Sequence, residues 1–255
     1  MRILVCNDDG ITARGLRELV LALAERAEVT VVAPDRARSA CGHSITLHKP
    51  LRADKTQVPG ARAAYSVSGT PTDCVALAIR HLLPELPDLV VSGINFGANL
   101  GWDLTYSGTV AAAVEGALLG VPAMAISLVA RQTEASYKCA ASFASTLVRR
   151  FEEYALPPFT LLNVNVPWLG DRRPLGVRVT RQGTRRYHGG VMERQDPSGR
   201  TYYWLGGETP EEDFSPGTDT RTIVDGYISV TPIHLDLTAP DLLQKVREWG
   251  IEEDA

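Results

Sequence analysis

The sequence predicts an α/β fold: a mostly parallel sheet with helices on both faces, followed by a C-terminal β extension with a protruding hairpin. Three observations carry this expectation. Short apolar runs alternate with segments of helical periodicity as far as residue 167. The apolar runs are continuous rather than alternating, as befits strands buried on both faces. Beyond Pro167 the segments become strand-like and are punctuated by turn residues.

Arg2–Cys6 is the first apolar run and leads into Asn7-Asp8-Asp9-Gly10. Residues 13–26 place Leu16, Leu19, Val20 and Leu23 on one helical face, and 29–33 is a second strand closed by Pro34-Asp35. Strand, helix and strand in this order read as a right-handed βαβ unit. The pattern recurs with a helix over 70–83, a strand over 89–92, an Ala-rich helix over 108–119, a strand over 123–128, a helix over 136–154 and a strand over 161–166. In the second half, 177–182, 200–205 and 227–233 are strand-like, and Asp196-Pro197-Ser198-Gly199 is a turn signal. No internal repeat is visible. The chain reads as one domain over 1–255: a core over 1–167, a β extension over 168–232 with its hairpin arm near 185–206, and a closing helix over 239–251, most clearly amphipathic over 241–249.

With 255 residues, 44% of them hydrophobic and 22% charged, the chain can bury a large core and lacks the bias of disordered segments. A net charge of −4 argues against a binder of nucleic-acid polymers, which carries a basic face. It also means that binding phosphate needs local positive potential, from arginine, a helix N-terminus or a bound cation. Cys6, Cys41, Cys74 and Cys139 form no C-x-x-C pair, which points away from zinc or thioredoxin-like chemistry and toward a reducing compartment. No leader pattern and no apolar run long enough to span a membrane is present, so a soluble cytoplasmic protein is expected.

Asp8 and Asp9 stand at the end of the first strand, where open α/β sheets bind ligands. Two bare carboxylates repel phosphate, whereas a divalent cation between them reverses the interaction. The bland alternative is that they cap the following helix. Arg36-Ala37-Arg38-Ser39 follows the second strand; Ser39 offers a neutral oxygen ligand, against the alternative of a solvated basic loop. The Asn/Gly-rich stretch 92–101 contains Asn95 and Asn99, whose amides supply both oxygen ligands and donors. Ser107-Gly108-Thr109 opens a helix and makes an anion site of backbone amides and hydroxyls, or an ordinary serine cap. Thr70, Pro71 and Asp73 fit a capping box. Of the five histidines, His43 stands apart because it lies just past Ser39; His48, His81, His188 and His234 read as structural.

Taken together, these segments resemble the survival protein E (SurE) family of 5′-nucleotidases. The matching pieces are I-L-V-C-N-D-D-G at 3–10, A-P-D-R-A-R-S-A at 33–40, S-G-T-P-T-D-C-V at 68–75, S-G-I-N-F-G-A-N-L-G at 92–101 and Y-S-G-T-V-A-A-A-V-E-G at 106–116. L-N-V-N-V-P at 162–167, T-R-Q-G at 180–183, Y-Y-W-L-G-G at 202–207 and G-Y-I-S-V-T-P-I at 226–233 are also similar. The resemblance implies a Rossmann-like core, one divalent metal ion per subunit (magnesium or manganese) and hydrolysis of nucleoside monophosphates. It implies Asp8, Asp9, Ser39 and Asn95 as metal ligands, and Asn99, Ser107, Gly108 and Thr109 around the phosphate. The expected chemistry is metal-assisted, with Asp8 and Asp9 as the catalytic acids and Asp8 orienting or deprotonating the attacking water. The rivals are a nucleotide-sugar-dependent glycosyltransferase and a nucleotide-binding protein without turnover. The aromatic run Tyr202-Tyr203-Trp204 in the arm predicts a homodimer or homotetramer.

Overall fold

The computed structural model describes all residues except 131, 133–134, 188–189, 206–210 and 252–255. His188 and Gly206, placed in the arm by the sequence pattern, and Gly207, the last residue of the matching piece at 202–207, lie outside the described residues. The chain begins with β1 (Arg2–Cys6), α1 (Arg14–Ala24) and β2 (Glu28–Pro34). It continues through β3 (Ala53–Thr56), β4 (Ala63–Val67), α2 (Pro71–Leu77), β5 (Leu89–Phe96), α3 (Gly108–Leu118), β6 (Ala123–Val129), α4 (Lys138–Glu153) and β7 (Thr160–Pro167). Then follow β8 (Val177–Val179), β9 (Arg185–Arg186), β10 (Val191–Gln195), β11 (Thr201–Leu205), β12 (Glu211–Glu212), α5 (Asp219–Val224), β13 (Ile228–His234) and α6 (Pro240–Arg247).

One nine-stranded sheet runs in the order β3-β4-β2-β1-β5-β6-β7-β13-β8. The stretch from β4 to β7 is parallel throughout, β3 is antiparallel to β4, β13 is antiparallel to β7, and β8 is parallel to β13. The period-2 geometry of a strand divides its side chains between two cores. Ile3 and Val5 of β1 face Leu16, Leu19 and Leu23 of α1 and Ala140, Ala144 and Val148 of α4. Leu4 and Cys6 of the same strand face Cys74 and Val75 of α2 and Val110, Ala113 and Ala117 of α3. Each large aliphatic side chain buried in this way contributes about 1.5–3 kcal/mol.

Some elements differ from the sequence expectation. The helix expected over 70–83 is α2 followed by a wider π turn over Ala78–Leu82, closed by the Leu83 amide on the Ala78 carbonyl at 3.0 Å. The strand expected to stop at 92 runs on to Phe96, with a register shift between Ser92 and Asn95, so Asn95 sits on a strand and not in a free loop. β3 and β4 have no continuous apolar run because they lie at a half-exposed sheet margin. α5 is a six-residue helix, half of it threonine and aspartate, and shows no helical periodicity; the Thr218 hydroxyl caps it, accepting from the Arg221 amide at 3.2 Å. The strand expected over 177–182 ends at Val179. The capping box of α2 is formed as its residues suggest: Thr70 Oγ1 accepts from the Asp73 amide at 3.1 Å, and Asp73 accepts from the Thr70 amide at 2.8 Å.

The expected core boundary at 167 is crossed by the main sheet, since β13 and β8 extend it past β7. The arm is a separate two-stranded ribbon, β10 with β11, turned at 196–199. Among the described residues no helix is long and apolar enough to cross a membrane.

Candidate active site

From β1 the chain steps outward to β2 and β4 on one side and to β5, β6 and β7 on the other. The reversal point therefore lies between β1 and β5, where Cys6 pairs with Ser92. A crevice beyond the strand ends at such a point is where doubly wound sheets bind ligands. Asp8 and Asp9 follow the end of β1, and Asn95 lies in the last two residues of β5.

The helix-cap reading of the two acids is excluded by their position. α1 starts at Arg14 behind Ala13, with no side-chain cap and no acid in its first turn. Asp8 is instead met by the N-terminus of a different helix, α3. Thr109 Oγ1 donates to Asp8 Oδ1, and the backbone of Gly108 and Thr109 at the helix start lies beside the same carboxylate and favours its charged form. The turn itself is locked by Asn7, whose amide nitrogen donates to the Gly10 carbonyl at 3.1 Å and whose Oδ1 accepts from the Gly10 amide at 3.2 Å. Gly108 is required by proximity: a Cβ there would stand 2.7 Å from Asp8 Cβ and 2.9 Å from Cys41 Sγ.

Burial raises the Asp8 carboxyl above its ordinary range, against the lowering effect of the Thr109 hydroxyl and the surrounding amides. Burial, then the charge of Asp8, raises Asp9 to about 6, while the Phe96 amide opposes the shift. Two desolvated acids repelling each other form an unstable pair that a cation would relieve. Among the described residues no group of three or more His, Cys, Asp or Glu is arranged to hold a metal. The available donors are thus two carboxylates with neutral oxygens from Ser39 and Asn95, the hard-oxygen mix that suits magnesium or manganese. Asn95 donates through Nδ2 to the Gly97 carbonyl at 3.0 Å, which leaves Oδ1 as its acceptor atom. Ser39 is exposed on the loop after β2, one residue beyond Arg38, whose amide donates to the Asp8 carbonyl at 2.8 Å.

Ser107 caps α3, its hydroxyl accepting from the Val110 amide at 3.1 Å. Asn99 is buried and held on several sides. Its carbonyl accepts from Asn163 and Asn165 at 2.9 Å each, its amide donates to Asn165 at 3.0 Å, and its Nδ2 donates to Ser127 at 2.8 Å. One N–H of Nδ2 remains for a ligand. Asn163 and Asn165 had no role in the residue-level reading. Their signal was a pair of polar residues two apart in an otherwise apolar strand, which places both on one face.

His43 Nε2 meets Glu115 Oε2 at 2.9 Å, so this histidine ties the Ser39 loop to α3. Asp73, the capping acid of α2, holds the same loop further on through Thr46, at 2.9 Å to its amide.

A buried acid facing a helix N-terminus, with a second, partly buried acid beside it at the reversal point of a doubly wound sheet, is the arrangement of a phosphate-handling α/β enzyme. Comparison with known proteins makes this specific. Residues 3–189 match the family model described as Survival protein SurE, and the chain belongs to that family. A 5′-nucleotidase SurE of Geobacter metallireducens is 49% identical over 253 residues, covering 99% of each chain. One of Syntrophotalea carbinolica is 52% identical over 252 residues, covering 98% of each. The crystal structure of the SurE protein from Aquifex aeolicus matches with a TM-score of 0.85 at 40% identity, over 98% of this chain and 100% of that one.

Proposed function

We propose that this chain is a metal-dependent phosphomonoesterase that hydrolyses nucleoside 5′-monophosphates to nucleoside and inorganic phosphate. The observation that carries this reading is Asp8 facing the α3 N-terminus, with Asp9 beside it at the sheet reversal point. Asp8, Asp9, Ser39 and Asn95 would hold one magnesium or manganese ion. When bound, the cation offsets the charge of the acids and the phosphate and makes water more acidic.

The chain's own residues do the rest. The α3 amides and the Ser107 hydroxyl offer fixed donors to the phosphate oxygens, with the spare N–H of Asn99 as a further donor, while Thr109, at the same helix start, spends its one hydroxyl hydrogen on Asp8 and borders the phosphate through its backbone. Asp8, fixed through Oδ1 by the Thr109 hydroxyl, orients the attacking water and takes its proton. The water oxygen bonds to phosphorus as the bond to the nucleoside 5′-oxygen breaks, and the proton passes to that leaving oxygen. Phosphate release over a panel of nucleotides with magnesium, with manganese and with EDTA tests the reading. Turnover that survives exhaustive chelation refutes the metal, and absence of phosphate release with either ion refutes the activity.

The assembly we propose is a homodimer or homotetramer. Met192, Tyr203 and Trp204 of the arm and Leu242 and Leu243 of α6 are exposed large apolar side chains, and exposed patches of this kind favour association. Sedimentation at micromolar concentration tests it, and a monomer refutes it. Four free thiols fit a cytoplasmic location.

A further inference from the structure

The turn that leads into α3 carries two exposed aromatic rings. Trp102 is 42% exposed and Tyr106 66% exposed, and Tyr106 directly precedes Ser107 at the phosphate cradle. The backbone beneath them is held from several directions. Fully buried Asp219 accepts from the Gly101 amide at 2.9 Å and from the Gly183 amide at 2.9 Å, joining the turn to the β extension. Gln182 donates to the Gly101 carbonyl at 2.8 Å. Arg185 pairs with Asp103, and the Tyr187 hydroxyl donates to the same carboxylate at 3.1 Å. Gly101 has φ 53°, and a Cβ there would stand 3.0 Å from the Arg185 nitrogen, so the approach of β9 needs glycine. On the far side the Gly42 amide donates to the Tyr106 carbonyl at 3.0 Å, tying the turn to the loop that bears Ser39.

A turn fixed this firmly does not need exposed aromatic side chains for its own stability. The Arg186 guanidinium lies 5.4 Å from the Trp102 ring centre, which places a cation beside an aromatic surface. Aromatic rings with a neighbouring arginine form the surface on which nucleobases stack, and stacking tolerates any base because each has a π-face.

We infer that Trp102 and Tyr106 form a nucleobase platform beside the phosphate cradle, with Arg186 in support. The inference rests on the nucleotidase reading and deepens it: the substrate is a phosphomonoester with a planar base, and recognition is by stacking rather than by reading base edges. The turn delivers the base surface and the phosphate donors from consecutive residues, so one rigid segment sets the distance between them.

The test compares AMP with ribose 5-phosphate, which has the phosphate and sugar but no base. In Trp102→Ala and Tyr106→Ala the ratio of kcat/KM for AMP to that for ribose 5-phosphate should fall by about 5- to 150-fold, the range of one lost stacking partner. The change should sit mainly in KM. Trp102→Phe and Tyr106→Phe keep a stacking face and should recover most of the ratio. Equal losses on the two substrates would show that the residues only shape the cradle and would overturn the platform. So would an unchanged ratio, or a loss that follows a change in sedimentation, which would make the rings an interface between copies. Titration calorimetry of AMP decides independently of turnover. If the wild type hydrolyses neither substrate, the nucleotidase reading fails, while weaker AMP binding by the alanine variants supports the platform and equal binding overturns it.

Discussion

Asp9→Asn in metal-free protein probes the central electrostatic claim. Asp9 titrates at about 6 in the folded chain, against an ordinary value of 3.8, because of its burial and then the charge of Asp8. At 1.36 kcal/mol for each tenfold change in proton affinity, this corresponds to about 3 kcal/mol of destabilisation when Asp9 is ionised. Asp9 is only partly buried, so solvent screening reduces the figure to roughly 1–2 kcal/mol. The sign follows from the direction of the shift. The folded chain holds the Asp9 proton more tightly than the unfolded chain does. The penalty is therefore absent below about 3.8, grows as the pH rises, and is complete above about 6. Asparagine keeps the shape and can still accept from the Phe96 amide, but it carries no charge. In EDTA at pH 7.5 the variant should be more stable than the wild type by roughly 1–2 kcal/mol, or about 2–8 °C in Tm. The difference should shrink toward zero at pH 4. Denaturation of both proteins at the two pH values measures it, and adding magnesium or manganese should stabilise the wild type more than the variant. A destabilised variant, or an equal difference at pH 7.5 and pH 4, would refute the reasoning.

Other outcomes follow from the same geometry. Thr109→Val removes the hydroxyl that holds Asp8 and should lower phosphate release by roughly ten- to a thousandfold without rescue by excess metal, as steady-state kinetics across a metal titration would show. Gly108→Ala forces a Cβ against Asp8 and Cys41; it should cost about 1–3 kcal/mol in denaturant unfolding and also reduce turnover. Asp73→Ala breaks the capping box and the tie to Thr46 and should cost about 1–3 kcal/mol of stability, with wild-type stability refuting the structural role. Leu19→Ala, in the core under α1, should cost about 2–5 kcal/mol by chemical denaturation.

The sequence alone was sufficient for the α/β layering and for most elements of the parallel core. Strands buried on both faces must be apolar along their length, and helices covering them must carry a stripe, so β1, α1, β2, α3, β6, α4 and β7 are visible as patterns. Strand-end and helix-start positions marked Asp8, Asp9, Ser39, the stretch with Asn95 and Asn99, and residues 107–109 as candidates, and the family resemblance supplied the division of those candidates into metal ligands and phosphate contacts. What a one-dimensional pattern does not contain is which distant segments meet. That the Thr109 hydroxyl at the start of α3 grips Asp8, 101 residues earlier in the chain, depends on β5 lying beside β1 at the sheet reversal. That Asn163 and Asn165 seat Asn99 depends on β7 reaching the same end of the sheet, and that Asp219 secures Gly101 depends on the β extension folding back onto the turn before α3. β3, β4 and α5 escaped detection for a related reason: they are stabilised by neighbours rather than by their own periodicity. Local composition decides which residues form strands and helices, whereas the arrangement of the acids, the helix terminus and the aromatic turn is decided by tertiary packing.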